Sequence, residues 1–325
     1  MTDVLILGGT GWLSGRIAQR WIDAGAAVTC LARGGRAAPS GTRLIVADRD
    51  GMDAYAQVAG QDWDEVVDVS SHPRHVAEAV AALEERAVHW SYVSSVSVYA
   101  DADQPGADES APLAQPADDG SPDDYARAKS AAERAVGELG ERAAISRAGL
   151  IVGPGDPTDR FGYWPARFAA AGEAAVLAPP QEGAFAQVID VDDLAEFIVA
   201  SGARGWRGVV NAVGESLPLS AVLDAARAVA GHRGPVVTAP ADWLREREVA
   251  HWAGDRSLPL WLPADVPGFA TRDGRAYRGA GGRLRPIVET VERVLADERA
   301  RGLDRPRRAG LRHAEESELL SALGA

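Results

Sequence analysis

The sequence predicts an α/β fold, a doubly wound parallel sheet with a smaller C-terminal α/β lobe. Short β-branched and leucine-rich runs alternate with segments of helical spacing through the first half of the 325-residue chain. That is the pattern of βαβ units whose sheet is buried on both faces. A glycine-rich turn, Gly8-Gly9-Thr10-Gly11, stands between the first such run and the first helical segment. Beyond Gly153-Pro154-Gly155-Asp156-Pro157 the segments become shorter and irregular, and tryptophan and proline cluster over residues 243–267.

Residues 4–7 make the first strand and 12–24 the first helix, followed by strands at 27–31 and 43–47. A fourth strand at 65–69, a helix over 75–86 and a fifth strand at 89–93 continue the alternation. Right-handed crossovers then make the sheet doubly wound. Residues 100–122 are rich in Asp, Pro, Ala and Gly and read as a long exposed acidic loop, a place where function often resides. A helix resumes near Asp123, and 142–147 is a sixth strand. The expected division is residues 1–154 as the main domain and 155–325 as lobe and tail. Strands from about 185–213, around 186–190 and 209–212, are candidates to return to the main domain. The Arg- and Glu-rich stretch from Arg299 onward is expected to be a solvated helix or a partly disordered end.

Composition narrows the function classes. The 46% hydrophobic and 25% charged fractions are those of a soluble globular protein. A net charge of −13 disfavours nucleic acid and anionic membrane as partners. Met1-Thr2-Asp3-Val4 enters an apolar run without a basic segment or cleavage site, and no run approaches spanning length, so a cytoplasmic protein is expected. Cys30 is the sole cysteine, which fits a reducing compartment and reads as a buried structural thiol. No metal is expected. Of 34 lysines and arginines only Lys129 is a lysine, and Asn211 is the sole asparagine. Where lysine survives such a bias, arginine is a poor substitute.

The turn Leu7-Gly8-Gly9-Thr10-Gly11-Trp12-Leu13-Ser14-Gly15 lies where a dinucleotide pyrophosphate meets backbone N–H groups and the positive end of a helix. Gly8 and Gly11 provide the tight turn and close backbone approach, and Ser14 takes the third small position. An acid at the end of the second strand would bind the adenosine ribose. The sequence there is Cys30-Leu31-Ala32-Arg33-Gly34-Gly35-Arg36, without an acid. Arg33 and Arg36 suit a 2′-phosphate, so NADP(H) is favoured and NAD(H) is the alternative.

Two further stretches, Ser94-Ser95-Val96-Ser97-Val98-Tyr99 and Tyr125-Ala126-Arg127-Ala128-Lys129, complete a pattern with the glycine turn. Together they resemble the extended short-chain dehydrogenase/reductase family, which includes epimerase/dehydratases and carbonyl reductases. The likeness runs from residue 4 to about 215. It implies a Rossmann-type domain with Ser95, Tyr125 and Lys129 as catalytic residues, Ser94 being the weaker choice of serine. It also implies cofactor contacts from Gly8, Thr10, Gly11, Trp12, Leu13, Asp48, Arg49, Val69, Ser70, Ser71, Ala148 and Leu150. Asp48 resembles the family's adenine-contacting acid, and residues 147–154 resemble the segment that passes the nicotinamide. Val188 to Leu194 resembles a late strand-to-helix motif. Ser97, Tyr163, Trp164 and Gln187 are the candidate substrate contacts.

The spacing makes chemical sense. Tyr125 and Lys129 at i and i+4 share a helical face, so the ammonium can lower the phenol pKa and hold the nicotinamide ribose. The phenol then exchanges a proton with a carbonyl oxygen as hydride moves, while the serine hydroxyl polarises that oxygen. Chance would place the sole lysine four residues after one of six tyrosines about 2% of the time. Two departures from the family stand out. The asparagine of its proton relay has no counterpart, so water, a backbone carbonyl, or His72 or His75 must stand in. Val96 and Ser97 replace the Asp-Glu pair of the sugar-nucleotide dehydratases, which argues against that elimination chemistry.

These features favour an NADPH-dependent reductase of a small carbonyl, or the reverse dehydrogenase. The aromatic residues Tyr163, Trp164, Trp243, Trp252 and Trp261 are candidates for an apolar pocket, although core packing of the small lobe is the commoner role for most of these tryptophans. A nucleotide-sugar epimerase is the alternative, with Arg160, Arg167, Arg256 and Arg272 as candidates for its diphosphate. A non-catalytic dinucleotide-binding regulator is the third reading, disfavoured because the Tyr/Lys pair is kept. Family members often dimerise through the helices after the fourth and fifth strands, so a homodimer is a further expectation.

Overall fold

The computed structural model describes residues 1–117 and 121–324. Residues 118–120, within the long acidic loop, lie outside the described residues. Strands β1 (Asp3–Leu7), β2 (Ala27–Ala32), β3 (Arg43–Val46), β4 (Trp63–Asp68), β5 (Ala87–Ser95) and β6 (Ala143–Ala148) enter one sheet. Helices α1 (Trp12–Asp23), α2 (Pro73–Leu83) and α3 (Tyr125–Gly137) connect them. After β7 (Leu150–Val152) come α4 (Arg160–Ala171), β8 (Val176–Ala178), β9 (Phe185–Asp190), α5 (Val191–Ala203) and β10 (Gly208–Ala212). The remaining chain holds β11 (Ser216–Pro218), α6 (Leu219–Ala230), β12 (Val236–Thr238), α7 (Ala241–Glu246) and β13 (Ala250–Trp252). It ends with β14 (Gly254–Asp255), β15 (Ser257–Pro259), α8 (Arg275–Gly279), α9 (Ile287–Arg301), β16 (Ala309–Gly310) and α10 (His313–Ala322).

The main sheet has seven strands in the order β10-β6-β5-β4-β1-β2-β3, all pairs parallel. Strand order reverses between β1 and β4, and the crevice beyond their carboxyl ends is where such sheets take ligands. Alternate residues of the strands feed two cores. Val4, Ile6 and Cys30 pack with Ile17 and Trp21 of α1 and Leu194 and Ile198 of α5. Leu5, Leu7 and Trp90 pack with Val76 and Val80 of α2 and Ala132 and Val136 of α3. Near-continuous burial along β1 and β2 explains why these strands read as apolar runs.

Two expectations are corrected. β10 joins the main sheet as its edge strand, but β9 pairs with β7 and antiparallel with β11 in a separate three-stranded sheet. The stretch after Arg299 is not a solvated tail. Leu319 and Leu320 of α10 are buried in the lobe core with Phe161, Trp164 and Phe168. Glu316 binds the Arg167 side chain and accepts from the Leu177 N–H at 2.9 Å. Arg305 and Arg307 close on the buried Glu298. The arginines that suggested solvation thus neutralise buried acids.

Candidate active site

Gly8 adopts φ +83°, a conformation that favours glycine, and turns the chain at the end of β1. Gly9 packs so closely on β2 that a Cβ would collide with the Cys30 sulfur. Ser14 locks the turn: its hydroxyl donates to the Gly8 carbonyl at 2.6 Å and accepts from the Gly11 N–H at 3.0 Å. The first turn of α1 carries no acid that would compete for an anion. A cavity of about 630 Å³ opens there, lined in part by Gly8, Thr10, Gly11, Arg33, Arg36, Asp48, Arg49, Val69 and Ser70. A bare glycine cradle at a helix start, a crevice of this size and two arginines at its far end fit a dinucleotide. The phosphates would rest on the turn and the adenosine would lie toward Asp48.

Several expected contacts are placed differently. Arg49 lines the cavity, but its guanidinium is committed to Asp68 (2.7 and 2.9 Å), the Tyr55 hydroxyl and the His75 carbonyl. It is a buried structural ion pair. Trp12 and Leu13 do not line the cavity; the Trp12 indole donates to the Pro154 carbonyl at 2.9 Å, tying α1 to the segment after β7. Ser71 is exposed outside that cavity. Asp50, His72 and His75 place potential ligand atoms within 4.8 Å of one another at the rim, where Asp50 is held by His75 and Arg74. Cys30 is buried, and burial pushes its thiol up to about 11, which suits an inert core residue.

The second group of residues gathers at the carboxyl ends of β5 and β6. Ser95 ends β5 opposite Ala148 in the register, and its Oγ accepts from the Ser97 N–H at 3.1 Å in the turn that follows. Asp124 caps α3 by accepting from the Arg127 N–H, so Tyr125 begins the helix and Lys129 lies one turn on. The Tyr125 side chain is 47% exposed, with the Ser95 side chain near enough to act on its phenol. Desolvation at the cleft wall holds its phenol above the ordinary range, with the Ser95 side chain and the nearby Arg160 charge acting in the other direction. This corrects the expectation that Lys129 depresses it.

Lys129 is only 3% exposed and points into the protein. Its Nζ donates to the Ser70 carbonyl (2.9 Å), the Val93 carbonyl (2.8 Å) and the Tyr92 hydroxyl (3.1 Å). Burial brings its pKa down to about 8, with the charges of Asp68 and Glu133 working the other way. Among the stand-ins considered for the missing relay asparagine, backbone carbonyls are the groups on the ammonium. Asn211 is tied to Tyr99 and the Asp273 carbonyl, and His75 to Asp50.

Sequence patterns assign no role to Tyr92 or Glu133, or to Arg147 beyond its place in the nicotinamide-side segment. Glu133 follows Lys129 by one further turn of α3 and binds Arg147 of β6 at 2.8 Å; both are buried. The spacing of four puts Glu133 on the α3 face of Tyr125 and Lys129, but nothing local marks Arg147 of β6 as its partner. Tyr92, three residues before Ser95 and inside an apolar strand, carried no signal.

The substrate expectations are corrected more sharply. Tyr163 (2% exposed) and Trp164 lie in the lobe core, the Trp164 indole bonded to the Pro259 carbonyl. Gln187 is buried with its amide spent on Gly214 and Arg272. Ser97 is half-buried and acts through its backbone on Ser95. Trp252, by contrast, joins Val96, Gly149, Leu150 and Phe269 around a small cavity beside Ser95.

Residues 4–212 match the model of the NAD dependent epimerase/dehydratase family. The chain belongs to that family. As an epimerase/dehydratase-family protein of the extended short-chain dehydrogenase type it is an NAD(P)-dependent enzyme. Its fold is similar to the UDP-Glc/GlcNAc 4-epimerase of Campylobacter jejuni, at 14% identity and TM-score 0.70, covering 92% of this chain and 100% of that one. The UDP-glucose 4-epimerase of Thermotoga maritima, solved with UDP-glucose, matches at 12% identity and TM-score 0.69 over 92% and 99% of the two chains. That of Thermus thermophilus, solved with NAD, matches at 18% identity and TM-score 0.64 over 92% and 99%. No curated protein matches the family member described here. Among its described residues no helix is long and apolar enough to cross a membrane.

Proposed function

We propose that this enzyme is an NADP(H)-dependent oxidoreductase that reduces a small carbonyl, or oxidises the alcohol, with Ser95, Tyr125 and Lys129 as its catalytic residues. The observation that carries the reading is the placement of the Ser95 and Tyr125 side chains beside each other, at the end of β5 and the start of α3, with Tyr125 47% exposed. A carbonyl oxygen seated between them accepts from both, which polarises the carbon. Bound NADPH supplies the hydride. Tyr125 gives its proton to the oxygen as charge develops there, and a phenol held above its ordinary range stays protonated through neutral pH. Lys129, one turn further along α3, orients the cofactor ribose.

Arg33 and Arg36 support the phosphate-bearing cofactor. Both are exposed, both line the adenosine end of the cavity, and neither has a carboxylate within 4.0 Å among the described residues. The expectation of a homodimer is kept as part of this proposal, through α2 and α3.

The likeness to nucleotide-sugar epimerases keeps that activity as the second reading. It needs cations for a diphosphate, and three of the four candidates are engaged elsewhere. Arg167 binds Glu316, Arg256 donates to the Arg247 carbonyl, and Arg272 donates to the Asp101 carbonyl. The test is NADPH and NADH oxidation with a panel of carbonyls, alongside release and identification of any copurifying cofactor. Exchangeable NADPH with turnover abolished by Tyr125→Phe supports the reductase. Non-exchanging NAD and interconversion of a nucleotide sugar would replace it, and cofactor binding without any turnover would favour a regulator.

A further inference from the structure

We propose that Arg160 binds a carboxylate on the substrate, so that the carbonyl compound reduced is an oxo acid; this rests on the reductase reading above. Arg160 opens α4 directly after Asp159, which has φ 60°. Its guanidinium carbon lies 4.8 Å from the centroid of the Trp252 ring, and its Nε donates to Thr158 Oγ1 at 3.3 Å. Held on the indole with Nε occupied, the group keeps both Nη atoms for a planar, two-oxygen partner. No carboxylate lies within 4.0 Å of it among the described residues, whereas Arg49, Arg147 and Arg167 each have one. Asp156, on the same loop, has its oxygens on the Thr158 N–H and hydroxyl. Burial disfavours the Arg160 charge, although Asp156 and Tyr125 act in the other direction. A bound anion relieves that cost.

The position of the cation matters more than its lack of an ion pair. Trp252, which supports Arg160, lines the small cavity with Val96 and Leu150, immediately beyond Ser95. The Arg160 charge is felt at the Tyr125 phenol. Through Trp252 the cation is thereby placed next to the cavity that adjoins Val96, the residue after Ser95. A single guanidinium suits one carboxylate and is too little charge for a diphosphate. The larger neighbouring cavity, about 570 Å³, does not add to it. That cavity is lined by Glu182, Asp242 and Asp265, and its Arg245 is tied to Asp242. A second anionic group extending that way meets repulsion.

The test is steady-state NADPH oxidation with matched pairs, a small 2- or 3-oxo acid and its methyl ester, by wild-type, Arg160→Gln and Arg160→Lys enzymes. Binding of NADPH to each, followed by nucleotide fluorescence, serves as the folding control. The expected result is a kcat/KM preference of about 10- to 100-fold for the acid in wild-type, as for a charge-assisted bond. Arg160→Gln should erase it with less than about threefold change for the ester, and Arg160→Lys should restore part. Equal use of acid and ester by wild-type overturns the carboxylate assignment alone. So does an equal loss on both substrates in Arg160→Gln with NADPH binding intact. If no carbonyl of either kind is reduced, the reductase reading falls and takes this proposal with it.

Discussion

Lys129 Nζ stands 3.1 Å from the Tyr92 hydroxyl, which itself donates to the Ser70 carbonyl at 3.0 Å. Strand β5 thus supplies two groups to the ammonium, Tyr92 and the Val93 carbonyl, and the segment after β4 supplies a third. This arrangement fixes the lysine at the strand pair that flanks the cofactor crevice.

A pH dependence follows. With its pKa near 8, Lys129 is protonated below pH 8 and loses its charge above it. For carbonyl reduction, kcat/KM should be level at pH 6–7 and fall as pH rises through about 8. Tyr92→Phe removes one acceptor from the ammonium and should move this limb to lower pH. Lys129→Arg should abolish the limb and reduce activity at pH 7 by about 100-fold or more. A limb that stays near pH 8 in Lys129→Arg would assign it to another group.

Removal of either hydroxyl at the cleft should act on turnover and spare the cofactor. Tyr125→Phe is expected to cost about 100- to 10,000-fold in kcat and Ser95→Ala about 100-fold. The Kd for NADPH should stay within about threefold in both, measured by fluorescence titration.

Arg33→Ala with Arg36→Ala should weaken NADPH binding by about 10- to 100-fold per lost charge-assisted contact and leave NADH unchanged. Equal weakening of both nucleotides would place the arginines on a shared phosphate. The selectivity should shrink as ionic strength rises, since both side chains are exposed.

Glu316→Ala tests whether the C-terminal helix belongs to the fold. It leaves Arg167 unpaired at a nearly closed site and the Leu177 N–H without its acceptor. Such a break costs about 3–5 kcal/mol and should lower Tm by roughly 10 °C in calorimetry.

Much of the main domain was legible because its signals are local. Continuous apolar runs mark strands buried on two faces, and the glycine turn marks the place where β1 hands over to α1. Tyr125, Lys129 and Ser95 were legible for a related reason: helix and strand periodicity place them before any packing is known. Tyr163 and Trp164 were misread because an aromatic side chain looks the same in a sequence whether it lines a pocket or fills a core. Burial decides between the two, and burial is a property of distant neighbours such as α10. The same holds for Arg49, whose partner Asp68 lies 19 residues away at the end of β4.

By itself, then, the sequence determined the doubly wound sheet and the positions of the glycine turn, Ser95, Tyr125 and Lys129 at the ends of its strands and helices, since each is written in spacings of a few residues. The tertiary structure alone decided that Lys129 turns inward to Tyr92 and two carbonyls, and that the last helix seals the lobe. It alone also set the Arg160 guanidinium on the Trp252 ring. Charge pairing and desolvation are set by side chains brought together from far along the chain, and no local pattern records which cations find a carboxylate.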